Sequence, residues 1–135
     1  MTHENPVSGG DLARVARDAA GLVEANGLCK QDFYPIGYDG EVADNPAIAR
    51  TLPLCAMGAL RIAADPYTEP SMTDHAREVE TAFADHLALR YGIVPCDELE
   101  PHHLAISRWS DDPARSAGEV AAELRAFADE TKKEI

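Results

Sequence analysis

Leu54-Cys55-Ala56-Met57-Gly58-Ala59-Leu60 is the stretch that decides the fold, and its character runs on to Ala63. Nearly every residue from Cys55 to Ala63 is small or apolar. A helix that is apolar around most of its circumference belongs inside a domain. This segment is therefore expected to be the central, most buried helix. Gly58 would cost about 1 kcal/mol relative to alanine in an exposed helix. Its expected purpose is to admit a neighbouring helix or the ring of Trp109, the only tryptophan.

Upstream, Asp44-Asn45-Pro46 reads as an N-cap followed by proline near the first helical position. The predicted second helix runs from Pro46 to Ala64, with a kink or break near 50–52 because Pro53 lacks an N–H. Before it, Leu12, Val15, Ala16, Ala19, Leu22 and Val23 recur at helical spacing. They predict a first helix from Asp11 to Asn26, with Gly27 as its stop. Residues 31–43 hold Phe33, Tyr34, Ile36 and Tyr38 among Pro35, Gly37 and Asp39-Gly40. Asp39-Gly40 is a hairpin-turn signal, so a short β-hairpin or an ordered aromatic loop is expected there.

Downstream, Ser71 or Thr73 caps a third helix to Tyr91, with Gly92 as the stop. Its apolar face is Met72, Ala76, Val79, Phe83 and Leu87. A short helix is expected from His102 to Trp109. Ser116 and Glu119 have capping-box spacing and open a last helix from Ala117 to Lys132, which buries Val120, Leu124 and Phe127. The expected fold is a mainly α bundle of four to five helices, one domain over 11–135 after a loose leader at 1–10.

The chain has 135 residues and a net charge of −12. No apolar run approaches the roughly 20 residues that span a bilayer, and the N-terminus lacks the basic and apolar regions of a signal peptide. A cytoplasmic location and no membrane contact are expected. Cys29, Cys55 and Cys96 are odd in number and widely spaced, which argues against a disulfide framework. Direct nucleic-acid binding is not expected, because a binder must neutralise phosphates with Lys and Arg.

Gly27-Leu28-Cys29-Lys30, Cys55 to Leu60, and Ile106 to Asp111 with Arg115-Ser116 and Glu119-Val120 together resemble a family. It is a family of small actinobacterial and actinophage proteins classed as a domain of unknown function. Its pattern is a Gly-Trp-Cys-like turn, a Cys-Ala-Leu-Gly-Ala-Leu helix and a Trp-Asn-Asp element before the last helix. Here Leu28 replaces the common Trp, Met57 replaces Leu and Ser110 replaces Asn. The resemblance implies a fold and a lineage, and no activity or catalytic residue.

The candidate chemistry is sparse. Cys55 lies among apolar neighbours, where packing is a better reading than nucleophilic catalysis. Cys29 beside Lys30 has the more reactive setting, though a packed loop cysteine remains the simpler reading. His102-His103 are adjacent and His75 and His86 are three turns apart, so none has the i, i+4 spacing of a shared metal. They read as surface or rim histidines. No metal, no cofactor and no catalytic residue is assigned.

The leading functional expectation is a small acidic non-enzymatic interaction module with a protein partner, a phage or host-regulatory accessory protein. One alternative is an acidic inhibitor that mimics nucleic acid. Another is a small-molecule binder or enzyme with a pocket near the Trp109 element. The contact residues assigned are Tyr34, Tyr38, Trp109, Asp111 and Arg115. The oligomeric state is left open. For Trp109 a packing role is the stronger reading, so Trp109→Ala is expected to cost about 3–5 kcal/mol of stability. Equilibrium unfolding checks this; an unchanged midpoint would refute it.

Overall fold

A computed structural model describes residues 9–29, 37–64, 74–91, 106 and 108–133. Among them every regular element is helical. The first helix, α1, spans Gly9–Asn26. It starts slightly earlier than the apolar periodicity predicts and stops where expected. Gly27 takes a φ of +97°, and its N–H donates to the Val23 carbonyl at 2.8 Å. That left-handed conformation favours glycine and turns the chain out of the helix.

The turned chain meets the segment before the central helix. Leu28 and Leu54 form an isolated parallel bridge. The Cys29 N–H donates to the Leu54 carbonyl at 3.1 Å, and the Leu54 N–H to the Gly27 carbonyl at 3.3 Å.

The expected hairpin is corrected at its turn. Asp39-Gly40 opens a short helix, α2, over Asp39–Asp44. The Val42 N–H donates to the Tyr38 carbonyl at 2.9 Å, and Val42 is fully buried. Burying that side chain outweighs the local turn preference of Asp-Gly. The Phe33, Tyr34 and Ile36 part of the expected aromatic loop lies outside the described residues.

The expected second helix is two elements. Pro46–Thr51 is a 3-10 helix with proline at its start, and the helix α3 spans Ala56–Ala64. The break falls at residues 52–55, beside Pro53. Asn45 precedes the 3-10 helix without a side-chain cap bond. Arg50 holds this element to α1: its guanidinium donates to Asp18 at 3.0 Å, and its carbonyl accepts from Asn26 Nδ2 at 2.6 Å. In α3 every residue from Ala56 to Ala63 is buried, as the composition predicts. The Cys55 carbonyl accepts the first intrahelical bond, from Ala59 at 2.9 Å, and its Sγ accepts the Gly58 N–H at 3.2 Å.

The helix α4 spans Asp74–Tyr91. It buries Ala76, Val79, Phe83 and Leu87 as expected, together with Glu80 and His86. Glu80 is fully buried and accepts the Arg61 guanidinium of α3, with Nε to Oε2 at 2.5 Å. A buried carboxylate is tolerable only with such a partner.

Residues 108–111 are helical and carry Trp109. The chain then turns on Asp112, whose Oδ1 accepts the Ala114 N–H at 2.9 Å. The last helix, α5, spans Ala117–Lys133. Its capping box closes both ways: the Glu119 N–H donates to Ser116 Oγ at 3.1 Å, and the Ser116 N–H to Glu119 Oε1 at 2.9 Å.

The closest helix pair is α1 with α5, and α3 packs on α1. Arg17 pairs with Asp129 at 2.9 Å, and Arg125 with Glu24 at 2.7 Å. Residue numbers rise on α1 as they fall on α5, so the two helices are antiparallel. Buried Ala13, Ala16, Ala19 and Ala20 on α1, and Ala121 and Ala128 on α5, let helix backbones approach closely.

Candidate functional site around His86 and Glu123

Large side chains link α4 to α5. Phe83 of α4 meets Phe127 of α5 edge-on, with ring centroids 5.3 Å apart. Trp109 stands edge-on to Phe83 at 5.8 Å. His86 stacks on Phe83 at 5.9 Å with 15° between planes, and meets Phe127 at 5.5 Å. These are favourable offset and edge-on geometries, and they leave the imidazole little freedom.

Behind His86 lies Glu123, buried on α5. His86 Nε2 and Glu123 Oε2 are 2.5 Å apart. Tyr91 Oη donates to Glu123 Oε1 at 2.7 Å, and Arg90 Nε lies 3.0 Å from Oε2. Burial alone pushes a carboxyl group up. Here the bonds from Tyr91 and His86 and the Arg90 charge outweigh it and hold Glu123 below the ordinary value. The Tyr91 hydroxyl is shifted up, chiefly because its bond to Glu123 favours the protonated phenol, with burial and the carboxylate charge adding to it.

His86 also lines a cleft of about 400 Å³, with Phe127, Leu12, Asp85, Leu89 and Arg90 among its other walls. A shallower recess continues it past Leu12, Ala82 and Asp85 to Arg77 and Glu78. Leu89 is 89% exposed at this cleft, whereas most large apolar side chains among the described residues are buried. Chemically, the arrangement offers a fixed imidazole backed by a carboxylate, an apolar wall, and charges of both signs at the rim.

The residues singled out from sequence divide among several places. Trp109 is 1% exposed, so its ring is packing material. Its indole Nε1 is buried with no hydrogen-bond partner among the described residues. Arg115 covers it, with the guanidinium carbon 4.7 Å from the Trp109 ring and 5.5 Å from the Tyr91 ring. The Arg115 Nε donates to the Trp109 carbonyl at 3.1 Å. Trp109 and Arg115 are thus joined through Tyr91 to Glu123. Asp111 is half-buried and adds charge near Cys55 instead. Neighbouring Ser110 is buried, and its Oγ accepts the Ala56 N–H at 3.1 Å. Tyr38 lies beside α2, which packs on the 3-10 helix. Tyr34 lies outside the described residues. Among the described residues, the cleft walls include none of Tyr38, Trp109, Asp111 and Arg115.

Of the reading of the histidines as surface or rim groups, the surface half is corrected at His86, which is 9% exposed, bonded to Glu123 and set in the wall of the cleft. His3, His102 and His103 lie outside the described residues, and no side-chain placement is described for His75. A signal for His86 and Glu123 was present. His86 stands three residues after Phe83 on the buried stripe of α4. Glu123 stands three after Val120 and four before Phe127 on that of α5. Among the described residues no group of three or more His, Cys, Asp and Glu could hold a metal ion. No described helix is long and apolar enough to cross a membrane.

Because Glu123 is held low, its bonds stabilise the fold above the unfolded carboxyl pKa of about 4.3 and are lost as pH falls through the folded value. Glu123→Gln is expected to cost about 1.5–3 kcal/mol at neutral pH, the range for bonds to a charged group. The gap from wild type should shrink as pH falls below about 4. Denaturant unfolding at several pH values checks it; a gap independent of pH would refute the charged role.

No curated protein and no solved structure matches this chain. A family model does, across residues 8–130: that of a family of unknown function, DUF6197. With the match running from the first turn of α1 to the last of α5, the chain belongs to this family.

Proposed function

We propose that this chain is a small non-enzymatic interaction module, an accessory protein of phage or host regulation. Its docking face is the cleft over His86 between α1, α4 and α5. The observation that carries the reading is Leu89, 89% exposed on a cleft whose walls mix apolar Leu12, Ala82 and Phe127 with charged and polar side chains. A single exposed leucine is ordinary on a protein surface; what supports the reading is that Leu89 stands with Leu12, Ala82 and Phe127 around one concave cleft. The occupant proposed is a polypeptide segment with an apolar anchor flanked by basic residues. Asp85, Glu130 and Glu78 stand around the cleft and its recess with Arg77 and Arg90, and the whole chain carries a charge of −12. The net charge of the whole chain, more than the mixed charges at the cleft, favours a cationic partner and speeds its approach.

Nucleic-acid mimicry has less support. On the α1–α5 face, Glu24 and Asp129 are paired with Arg125 and Arg17, which interrupts the acidic surface a mimic would present. The small-molecule alternative draws support from His86, a buried imidazole opening on the same cleft with a carboxylate behind it. A molecule that copurifies with wild type in native mass spectrometry and is lost in His86→Ala would put that alternative first.

The test is affinity capture with wild type and Leu89→Glu side by side. Leu89 is exposed, so the substitution should leave the unfolding midpoint in place. A partner docking on this face should lose about tenfold or more in affinity. Its binding should also weaken with added salt. A partner that binds both proteins equally would place the interface elsewhere.

A further inference from the structure

The parallel bridge of Leu28 with Leu54 places two cysteines one residue further along each of two paired backbones: Cys29 and Cys55. The hydrogen bond from the Cys29 N–H to the Leu54 carbonyl, at 3.1 Å, spans the gap between those backbones. Paired strands lie about 4.8 Å apart, within the range of about 4.4–6.8 Å over which a disulfide joins two Cα atoms. Neither cysteine is in a disulfide here. Cys29 is half-buried, whereas Cys55 is 6% exposed at the start of α3.

We propose that Cys29 and Cys55 are a dithiol modification site, closed to a disulfide by a low-molecular-weight disulfide oxidant. Their unequal exposure orders the chemistry. The Cys29 thiolate attacks one sulfur of the oxidant, whose S–S bond breaks. One thiolate leaves and takes up the proton that Cys29 released. The Cys55 sulfur then attacks Cys29 in the mixed disulfide, and the second thiolate departs with the Cys55 proton. Two protein thiols are oxidised, and the oxidant is reduced to two thiols. Burial above all, with the charges of Asp111 and Cys29 adding to it, pushes Cys55 up to about 12. At that value the Cys55 thiolate is scarce, so the second step is the slow one; the pairing of the two backbones, which holds the mixed disulfide beside Cys55, is what lets it proceed. The product ties the end of α1 to the start of α3.

The experiment is treatment of the folded full chain with oxidised glutathione. Remaining thiols are then alkylated under denaturing conditions and the peptides mapped. The expected product is a peptide pair linked through Cys29 and Cys55, with Cys96 alkylated and no glutathione retained. It should reverse with dithiothreitol and raise the thermal midpoint. Cys29→Ser should abolish the linkage and the rise, and Cys96→Ser should keep both. Should Cys29→Ser fold poorly, Cys55→Ala serves instead and should retain glutathione on Cys29. A linkage through Cys96, or a glutathione that stays on Cys29 of the wild type while Cys55 remains alkylatable, would overturn the proposal.

Discussion

Side-chain size along the helix seams sets where this molecule is closed and where it is open. The helices α1 and α5, both with buried alanines, lie in extensive antiparallel contact, with the Arg17–Asp129 and Arg125–Glu24 pairs along the seam. The α3 helix, apolar on nearly every side, fits against α1. Between α4 and α5 the linking residues are Phe83, His86, Phe127 and Glu123, and the two backbones approach each other at few points. The cleft over His86 lies along that wider seam. The proposed docking face is thus a consequence of packing: bulky residues fill the inner part of the gap and leave its outer part unfilled.

Two buried polar pairs position α4 within this arrangement. Glu80 reaches Arg61 on α3, and His86 reaches Glu123 on α5. The two α4 residues lie six apart, on the flanks of one buried stripe. Any rotation or one-residue slide of α4 would strand a carboxylate or an imidazole without its partner. Breaking a buried pair in that way is far costlier than shifting an apolar contact. The pairs therefore define a single register for a helix whose apolar side chains alone would tolerate several.

What was legible in the sequence was local. Gly27 ends α1 because its backbone conformation is a property of one residue. Pro53 divides the expected second helix because proline acts on its own turn. Ser116 and Glu119 make their reciprocal cap within four residues. The buried character of α3 followed from composition, although Arg61 interrupts it and needed Glu80 as a partner. Asp39-Gly40 misled because Val42, two residues on, is drawn into the core and carries the segment into helix. The site was largely illegible for a different reason. Apolar periodicity shows that positions 86 and 123 lie on buried faces, but not that they face each other across 37 residues. Trp109 and Arg115 were legible as contact residues, but not that the guanidinium lies over the indole, nor that Tyr91 links them to Glu123.

The extensive antiparallel contact of α1 with α5 is expected to make them one cooperative unit, and native-state hydrogen exchange tests that most directly. Slowly exchanging amides in the two helices should open together, at the free energy of global unfolding. Their exchange should respond to denaturant with the same steep slope. Amides of α5 that open at a clearly lower free energy than those of α1, with a shallow denaturant dependence, would show that α5 detaches alone and would contradict the account.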